Sequence, residues 1–105
     1  MTFEISHHNY QFHEIQNKFF MALLPEQGSI EIQQDMPNKY HSWHYHKTSE
    51  TIIMLKGALT FYCDDREFDC DSSSVIYLPC ELKHASRAHE DGAVYLILKE
   101  IKWIS

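Results

Sequence analysis

Two histidines and one glutamate lie close together in the middle of the chain, at a spacing that suits metal binding. One residue separates His44 from His46, and Glu50 follows after a three-residue connection. Residues i and i+2 of a β-strand point to the same side, so two imidazoles can converge on one ion at metal–nitrogen distances of about 2.1 Å. If the chain turns at residues 47–49, Glu50 begins the next strand beside them and can add an oxygen ligand.

The same three residues also have ordinary explanations. A histidine pair at this spacing is weak evidence by itself, since it also occurs in proteins that bind no metal, and a lone glutamate is usually a solvated surface group. Taken together on strands bounded by turns, a half-buried carboxylate and two imidazoles on one face need a reason to be there. The combination therefore predicts a metal site.

The elements that would position these residues are predicted to be strands. Short runs rich in Ile, Val, Phe, Tyr and Thr alternate with turn residues, and helical periodicity is weak outside residues 10–20. The predicted strands cover residues 19–24, 29–36, 40–46, 51–55, 59–63, 67–70, 75–78, 83–88 and 93–101. Many short strands with tight turns and little helix indicate an all-β, antiparallel sandwich or barrel.

The cysteines are predicted to be free thiols. A two-residue turn at residues 64–65 places Cys63 opposite Arg66 and Cys70 opposite Leu59, so the two cysteines are not cross-strand neighbours. A disulfide between them would exceed the Cα separation of about 7 Å that such a bond allows. An odd number of cysteines also fits a reducing compartment.

Length and charge limit the classes of function. The 105 residues predict one domain over 1–105, with an N-terminal segment at 1–18 and the barrel over about 19–101. A net charge of −6 and only two arginines argue against nucleic acid and anionic membranes as partners. We find no apolar run long enough to span a membrane and no leader peptide, so a cytoplasmic location is expected by default.

The spacing of the central motif resembles that of a known family. His44, His46, Glu50 and Gly57 match the first motif of the cupin superfamily, in which H-x-H is followed by a glutamate and then by a glycine. The resemblance covers roughly residues 19–100, and this first motif is specific.

The second cupin motif is matched only in part. Pro79 and His84 have the family's spacing, but Ser73 and Glu81 stand where the family has glycines. Arg87 stands where an asparagine often follows the histidine. Because glycine reaches positive φ without strain, Ser73 and Glu81 must either adopt negative φ or tolerate the left-handed conformation.

The resemblance implies a jelly-roll barrel in which His84 joins His44, His46 and Glu50 around one divalent metal ion. Mixed imidazole and carboxylate ligands suit Fe, Mn, Ni, Co or Zn, and the ligand set alone does not select among them. Open coordination positions would take a small-molecule ligand or substrate. The resemblance also implies a homodimer, for which the apolar side chains near the termini are Phe3, Ile5, Trp103 and Ile104. Trp103 and Ile104 could instead cap the barrel.

Strand parity and spacing give further candidates for the pocket wall. The predicted pocket-lining residues are Tyr40, Ile52, Met54, Tyr62, Cys80 and Arg87. His41 has the opposite parity to His44 and His46, so it is expected to point away from the site unless a bulge intervenes.

The motif is compatible with three classes of function. A metal-dependent enzyme acting on a small organic molecule, of the dioxygenase or isomerase type, is the first; Arg87, Tyr62 and His41 are its candidate acid–base groups. A non-catalytic protein that binds or senses a small ligand is the alternative. A structural barrel that has lost its metal is favoured only by the replaced glycines.

Overall fold

Seven β-strands make up the regular structure of the described residues. The computed structural model describes residues 4–7 and 29–100. The strands are β1 (Glu4–His7), β2 (Glu31–Asp35), β3 (Tyr40–His44), β4 (Glu50–Cys63), β5 (Arg66–Cys70), β6 (Ser74–Leu78) and β7 (His84–Lys99). All their pairings are antiparallel. The predicted all-β, antiparallel fold class is confirmed.

The long strands β4 and β7 form the axis of the fold. They pair with each other from Glu50 opposite Lys99 to Tyr62 opposite Ala85. At one end of this ladder β4 also pairs with β6, β6 with β1, and β7 with β2. At the other end β4 pairs with β5, and β7 pairs with β3. The ladder of the described strands stays open at its edges.

Each long strand bends where two shorter strands were expected. The sequence predicted breaks at residues 56–57 and 89–92, but the chain continues with register shifts in β4 on both sides of Gly57. Gly57 and Gly92 both have φ of +76°. A Cβ added to Gly57 would lie 2.1 Å from the Gly92 carbonyl oxygen. The glycines therefore bend two continuous strands where their backbones touch, instead of ending them.

The hydrophobic core lies between the two ends of the bent ladder. It combines residues from both ends, which shows that the bend folds one part of the sheet over the other. The buried members are Ile52, Met54, Leu59, Phe61, Cys70, Ile76, Leu78, Ala88, Ala93 and Tyr95. Ile5 of β1 is partly buried against this cluster.

The β4–β5 hairpin has the predicted register. Cys63 lies opposite Arg66 and Cys70 opposite Leu59, and all three cysteines are free thiols, as predicted. Burial raises the pKa of Cys70 to about 12, with the nearby Asp69 and Asp71 charges adding to the effect. The thiol is therefore a poor nucleophile at neutral pH.

Several predicted features lie outside the described residues: the strand at 19–24, the weak helical pattern at 10–20, and the side chains of Phe3, Trp103 and Ile104. The short strand β1 was not predicted. In the part of the chain that is described, no helix has the length and apolar character needed to cross a bilayer.

Candidate metal centre

Three histidines meet at one end of the fold, two from the adjacent strands β3 and β7 and one from the connection that follows β3. His44 ends β3, His84 begins β7, and the two are direct partners in the β3–β7 ladder. His46 follows in the connection to β4. Their candidate ligand atoms all lie within 4.8 Å of one another, and the ring centroids of His44 and His84 are 4.4 Å apart. Three imidazoles at this separation can reach a common ion.

Backbone carbonyls fix the orientation of two of these rings. The Nδ1 of His44 lies 2.6 Å from the Ser42 carbonyl oxygen, and the Nδ1 of His84 lies 2.9 Å from that of Leu82. A carbonyl only accepts hydrogen bonds, so Nδ1 carries a proton, and Nε2 is the nitrogen that holds the lone pair of the neutral ring. This is the arrangement that metal-binding histidines usually have.

His84 is also held in the neutral form that a ligand needs. Burial lowers its pKa to about 4, and the neighbouring His44 and His46 act in the same direction, while the bond to Leu82 opposes them. The ring is therefore uncharged at neutral pH. No proton has to be removed from it before it can coordinate an ion.

Glu50 lies beside the three histidines as a buried carboxylate. It is 5% exposed, and its Oε1 is 3.7 Å from the His46 Nε2, which is too far for a hydrogen bond. Within the described residues, no hydrogen bond satisfies this carboxylate. A buried carboxylate beside three imidazoles, with its oxygens unsatisfied, fits a cation as the missing partner.

The turn before His84 replaces the family's glycine with a strained residue. Glu81 has φ of +66°, and the Leu82 N–H donates to the Pro79 carbonyl at 3.3 Å, which closes a turn around residues 80–81. The Glu81 N–H donates to the His46 carbonyl at 2.7 Å. The turn thus connects the segments that carry His46 and His84, despite the lost glycine.

The other replaced glycine costs no such strain. Ser73 is not among the described residues with positive φ. Its N–H instead donates to the Asp71 Oδ1 at 2.9 Å, and its hydroxyl donates to the same oxygen. A turn stabilised by the Asp71 side chain therefore replaces the glycine turn at this position.

The four predicted ligands line a cavity of about 210 Å³. Apolar residues from β4, β6 and β7 form part of its wall, and an ion pair lies at its edge, where Lys99 Nζ is 3.0 Å from Glu31 Oε1. The lining residues in the described part of the chain are Glu31, Gln33, His41, His44, His46, Glu50, Ile52, Phe61, Leu78, His84, Ser86, Tyr95, Ile97 and Lys99.

The predicted pocket-lining residues separate into two groups. Ile52 lines the cavity, and Met54 shares its inward parity but is fully buried in the core. Tyr62 alternates with the cavity-lining Phe61 and so points to the opposite face. Cys80 is exposed in the turn and does not contribute to this cavity.

Tyr40 and Arg87 lie outside this cavity: Arg87 alternates along β7 with the cavity-lining Ser86, and Tyr40 precedes an irregularity in β3. The register shifts between His41 and His44, so the parity counted from His44 does not extend back to Tyr40. The Arg87 guanidinium carbon lies 4.7 Å from the centroid of the exposed Tyr40 ring, and its Nη1 donates to the Asn38 carbonyl.

The same irregularity brings His41 to the cavity wall, against the expectation from strand parity. Its Nε2 lies 2.9 Å from the Oδ1 of Asp35, a carboxylate whose side chain is completely buried. Gln33 Nε2 and the Tyr95 hydroxyl also donate to this carboxylate, each at 2.8 Å. Sequence reasoning missed this network, since its members lie on three strands and a bulge has no reliable sequence signal.

Hydrogen bonding keeps Asp35 ionised despite its burial. Burial acts to raise its pKa, but the bonds from His41, Gln33 and Tyr95 outweigh burial and lower the pKa below its ordinary value. Burial and the adjacent Asp35 charge raise the pKa of Tyr95 well above the usual range of a phenol. Tyr95 is therefore a neutral donor at neutral pH.

Comparison with known proteins identifies the fold. The family model of the cupin domain matches residues 31–98. The comparison with curated proteins gives no match. Among solved structures, a DUF861 family protein from Thermotoga maritima has a TM-score of 0.64 at 12% identity, covering 93% of this chain and 99% of its own. A cupin-2 domain protein from Shewanella frigidimarina has a TM-score of 0.59 at 18% identity, covering 80% and 91%.

A metal-containing enzyme is also similar. A variant of oxalate decarboxylase from Bacillus subtilis has a TM-score of 0.62 at 27% identity over 72% of this chain and 22% of its own. A study of that decarboxylase concerns its Mn(II) centres. This chain spans only about a fifth of the decarboxylase. Since the family model matches well over half of the sequence, the chain belongs to the cupin domain family.

Proposed function

We propose that this cupin is a metal-dependent enzyme that holds one divalent ion through His44, His46, Glu50 and His84. The observation that carries the proposal is the meeting of three imidazoles within 4.8 Å, beside a buried carboxylate that accepts no hydrogen bond from the described residues. The carbonyl-fixed rings of His44 and His84 support it, because the bond at Nδ1 leaves Nε2 as the nitrogen that can face an ion.

The donor set favours a transition metal over calcium or magnesium. Three imidazole nitrogens and one carboxylate oxygen suit Mn, Fe, Co, Ni or Zn, whereas calcium and magnesium prefer oxygen ligands. Mn(II) receives support from the oxalate decarboxylase, whose Mn(II) centres are known. The donor set itself leaves the choice open among these ions.

The cavity indicates a small organic substrate. About 210 Å³ bounded by Ile52, Phe61 and Leu78 can hold a few heavy atoms next to the ligand cluster and limit their contact with water. When bound, the ion would supply Lewis-acid polarisation or, if it is iron, dioxygen activation. The chain's own residues fix the ligand rings, bury the carboxylate and orient the substrate. A dioxygenase or isomerase type of reaction follows from the family resemblance.

The test is the metal content of the purified protein and of two histidine variants. We expect about one equivalent of a transition metal per chain, and most of it should be lost in His46→Ala. The control is His89→Ala, because His89 is a partly exposed histidine that does not line the cavity. Unchanged metal in His46→Ala, or no metal in the wild type after incubation with each ion, would show that the ligand set is wrong.

The identity of the metal then selects the activity assays. Iron would direct the search to oxygen consumption, and manganese, nickel, cobalt or zinc to isomerase and decarboxylase reactions on small organic acids and sugars. A fully loaded protein without turnover on any of these would favour the non-catalytic ligand-binding alternative.

A further inference from the structure

One wall of the cavity carries a histidine that the ligand set does not use. The bulge in β3 turns His41 into the cavity that His44, His46 and His84 also line. Bulges often redirect a side chain next to a functional site. The His41 side chain is 32% exposed, whereas its partner Asp35 is 0% exposed. A fixed, buried carboxylate therefore stands behind an accessible imidazole.

The partner of His41 determines which of its nitrogens can accept a proton. Asp35 is ionised and receives three donors, one of which is His41 Nε2 at 2.9 Å. A carboxylate that only accepts requires the proton to be on Nε2. In the neutral ring, Nδ1 then keeps the lone pair. The pair resembles an imidazole base oriented by a carboxylate, which also stabilises the imidazolium after proton uptake.

The other titratable groups of the wall already have partners. Glu31 and Lys99 are paired with each other at 3.0 Å. The Tyr95 hydroxyl donates its proton to Asp35. The remaining groups, His44, His46, His84 and Glu50, belong to the proposed ligand set. Among the described residues of this cavity, His41 is thus the group left to accept a proton from a bound molecule.

We propose that His41 is the proton acceptor for a hydroxyl group of the bound substrate, and that Asp35 is its positioning residue. In this step the substrate O–H bond breaks, the His41 Nδ1–H bond forms, and the oxygen keeps the electron pair. The imidazolium charge is balanced by Asp35. The inference rests on the proposed metal site, which would hold the same substrate.

This geometry selects a substrate class. A molecule that reaches both the histidine cluster and His41 within about 210 Å³ must be small, and must carry a metal-binding oxygen close to an ionisable hydroxyl. Small 2-hydroxy acids meet both requirements. Their O-methyl ethers keep the metal-binding oxygens but have no proton to give to His41.

The test compares glycolate with methoxyacetate as probes of the zinc-loaded protein. Calorimetry should show that the wild type prefers glycolate, and that His41→Phe reduces this preference about tenfold, the effect of losing one buried hydrogen bond to an ionisable group. The matched control His89→Phe should leave the preference unchanged. The ratio of the two ligands within each variant cancels their intrinsic difference in zinc affinity.

Nitrogen-15 spectroscopy of the same zinc-loaded protein separates proton transfer from simple hydrogen bonding. We expect His41 to be protonated at Nε2 alone without ligand, and at both nitrogens with glycolate bound. A ring that stays neutral with glycolate bound would overturn the proton-acceptor role. So would an unchanged ligand preference in His41→Phe, or an absence of glycolate binding.

The metal content of each sample distinguishes this inference from the proposed function. If zinc is bound stoichiometrically and the glycolate preference does not depend on His41, only the role of His41 is refuted. If the wild type binds no metal at all, both proposals are refuted.

Discussion

Two corners of the same cavity each hold an imidazole ring by one of its nitrogens, but with different partners. At the metal corner, backbone carbonyls accept from Nδ1 of His44 and His84. At the His41 corner, the buried Asp35 carboxylate faces Nε2 of His41. A carbonyl is an uncharged acceptor, and at His84 burial outweighs its bond and keeps the ring neutral, whereas a carboxylate brings a full negative charge that favours a protonated ring.

The difference teaches that histidine count alone does not assign roles in this pocket. Rings held by carbonyls are suited to donating a lone pair to an ion, and a ring held by a carboxylate is suited to gaining and losing a proton. Substitutions in each corner should therefore change the stability of the protein in different ways.

Removing the charge of the Asp35 corner should have the largest effect on stability. Asp35→Asn places an amide group against three donors, so we expect the free energy of unfolding to fall by about 3 kcal/mol. Asp69→Asn is the matched control, because Asp69 is 80% exposed and 3.7 Å from His89, and exposed pairs contribute under about 1 kcal/mol. Urea denaturation measures both. Equal losses of stability in the two variants would mean that the buried Asp35 carboxylate contributes no more than an exposed one.

The metal corner should give the metal-free protein a characteristic pH dependence. The pKa of His84 is about 4 in the folded chain, below the value of about 6.5 in an unfolded chain. The unfolded state therefore binds more protons between these pH values, and stability should fall as the pH drops from about 6.5 to 4, by up to about 3 kcal/mol. Chemical denaturation at several pH values measures the slope. His84→Gln should lack most of it; an unchanged slope would assign the effect elsewhere.

A smaller effect is expected from the phenol that supports Asp35. Tyr95→Phe removes one buried hydrogen bond to an ionised group, which should cost about 1.5–2 kcal/mol. Tyr62→Phe is the control, since Tyr62 is only partly buried and faces away from the cavity. Thermal unfolding of the two variants should separate them clearly. Indistinguishable melting temperatures would mean that the Tyr95 bond contributes little.

The smallest effect should come from the turn beside the metal corner. Glu81 has φ of +66°, so Glu81→Gly should relieve strain and raise stability by about 0.5 kcal/mol after the added entropy of the unfolded chain is counted. Cys80→Gly, in the same turn but without positive φ, should lower stability slightly. A loss of stability in Glu81→Gly would mean that the left-handed residue carries no net strain.

The metal corner could largely be anticipated from the sequence, whereas the His41 corner could not. The alternation of His44 and His46 and the partner position of His84 depend on local parity and motif spacing, which the sequence contains. His41 reaches the cavity only through a bulge, and Asp35 contacts Tyr95 across 60 residues. No local pattern encodes either relation.

The long strands show a second limit of the same kind. Residues 56–57 and 89–92 have the composition of turns. Gly57 and Gly92, however, meet across the β4–β7 ladder, and both strands bend there instead of reversing direction. Whether a glycine ends its strand or bends it depends on the neighbouring strand with which it pairs.

The pairing of His44 with His84 has a consequence for folding during synthesis on the ribosome. About forty residues separate these two positions in the chain. His44 and His46 are therefore synthesised well before His84 leaves the ribosome. The hairpin of β4 and β5 and the strand β6 lie between them and can form first. The complete cluster of imidazoles can therefore arise only after β4, β5 and β6 have been synthesised.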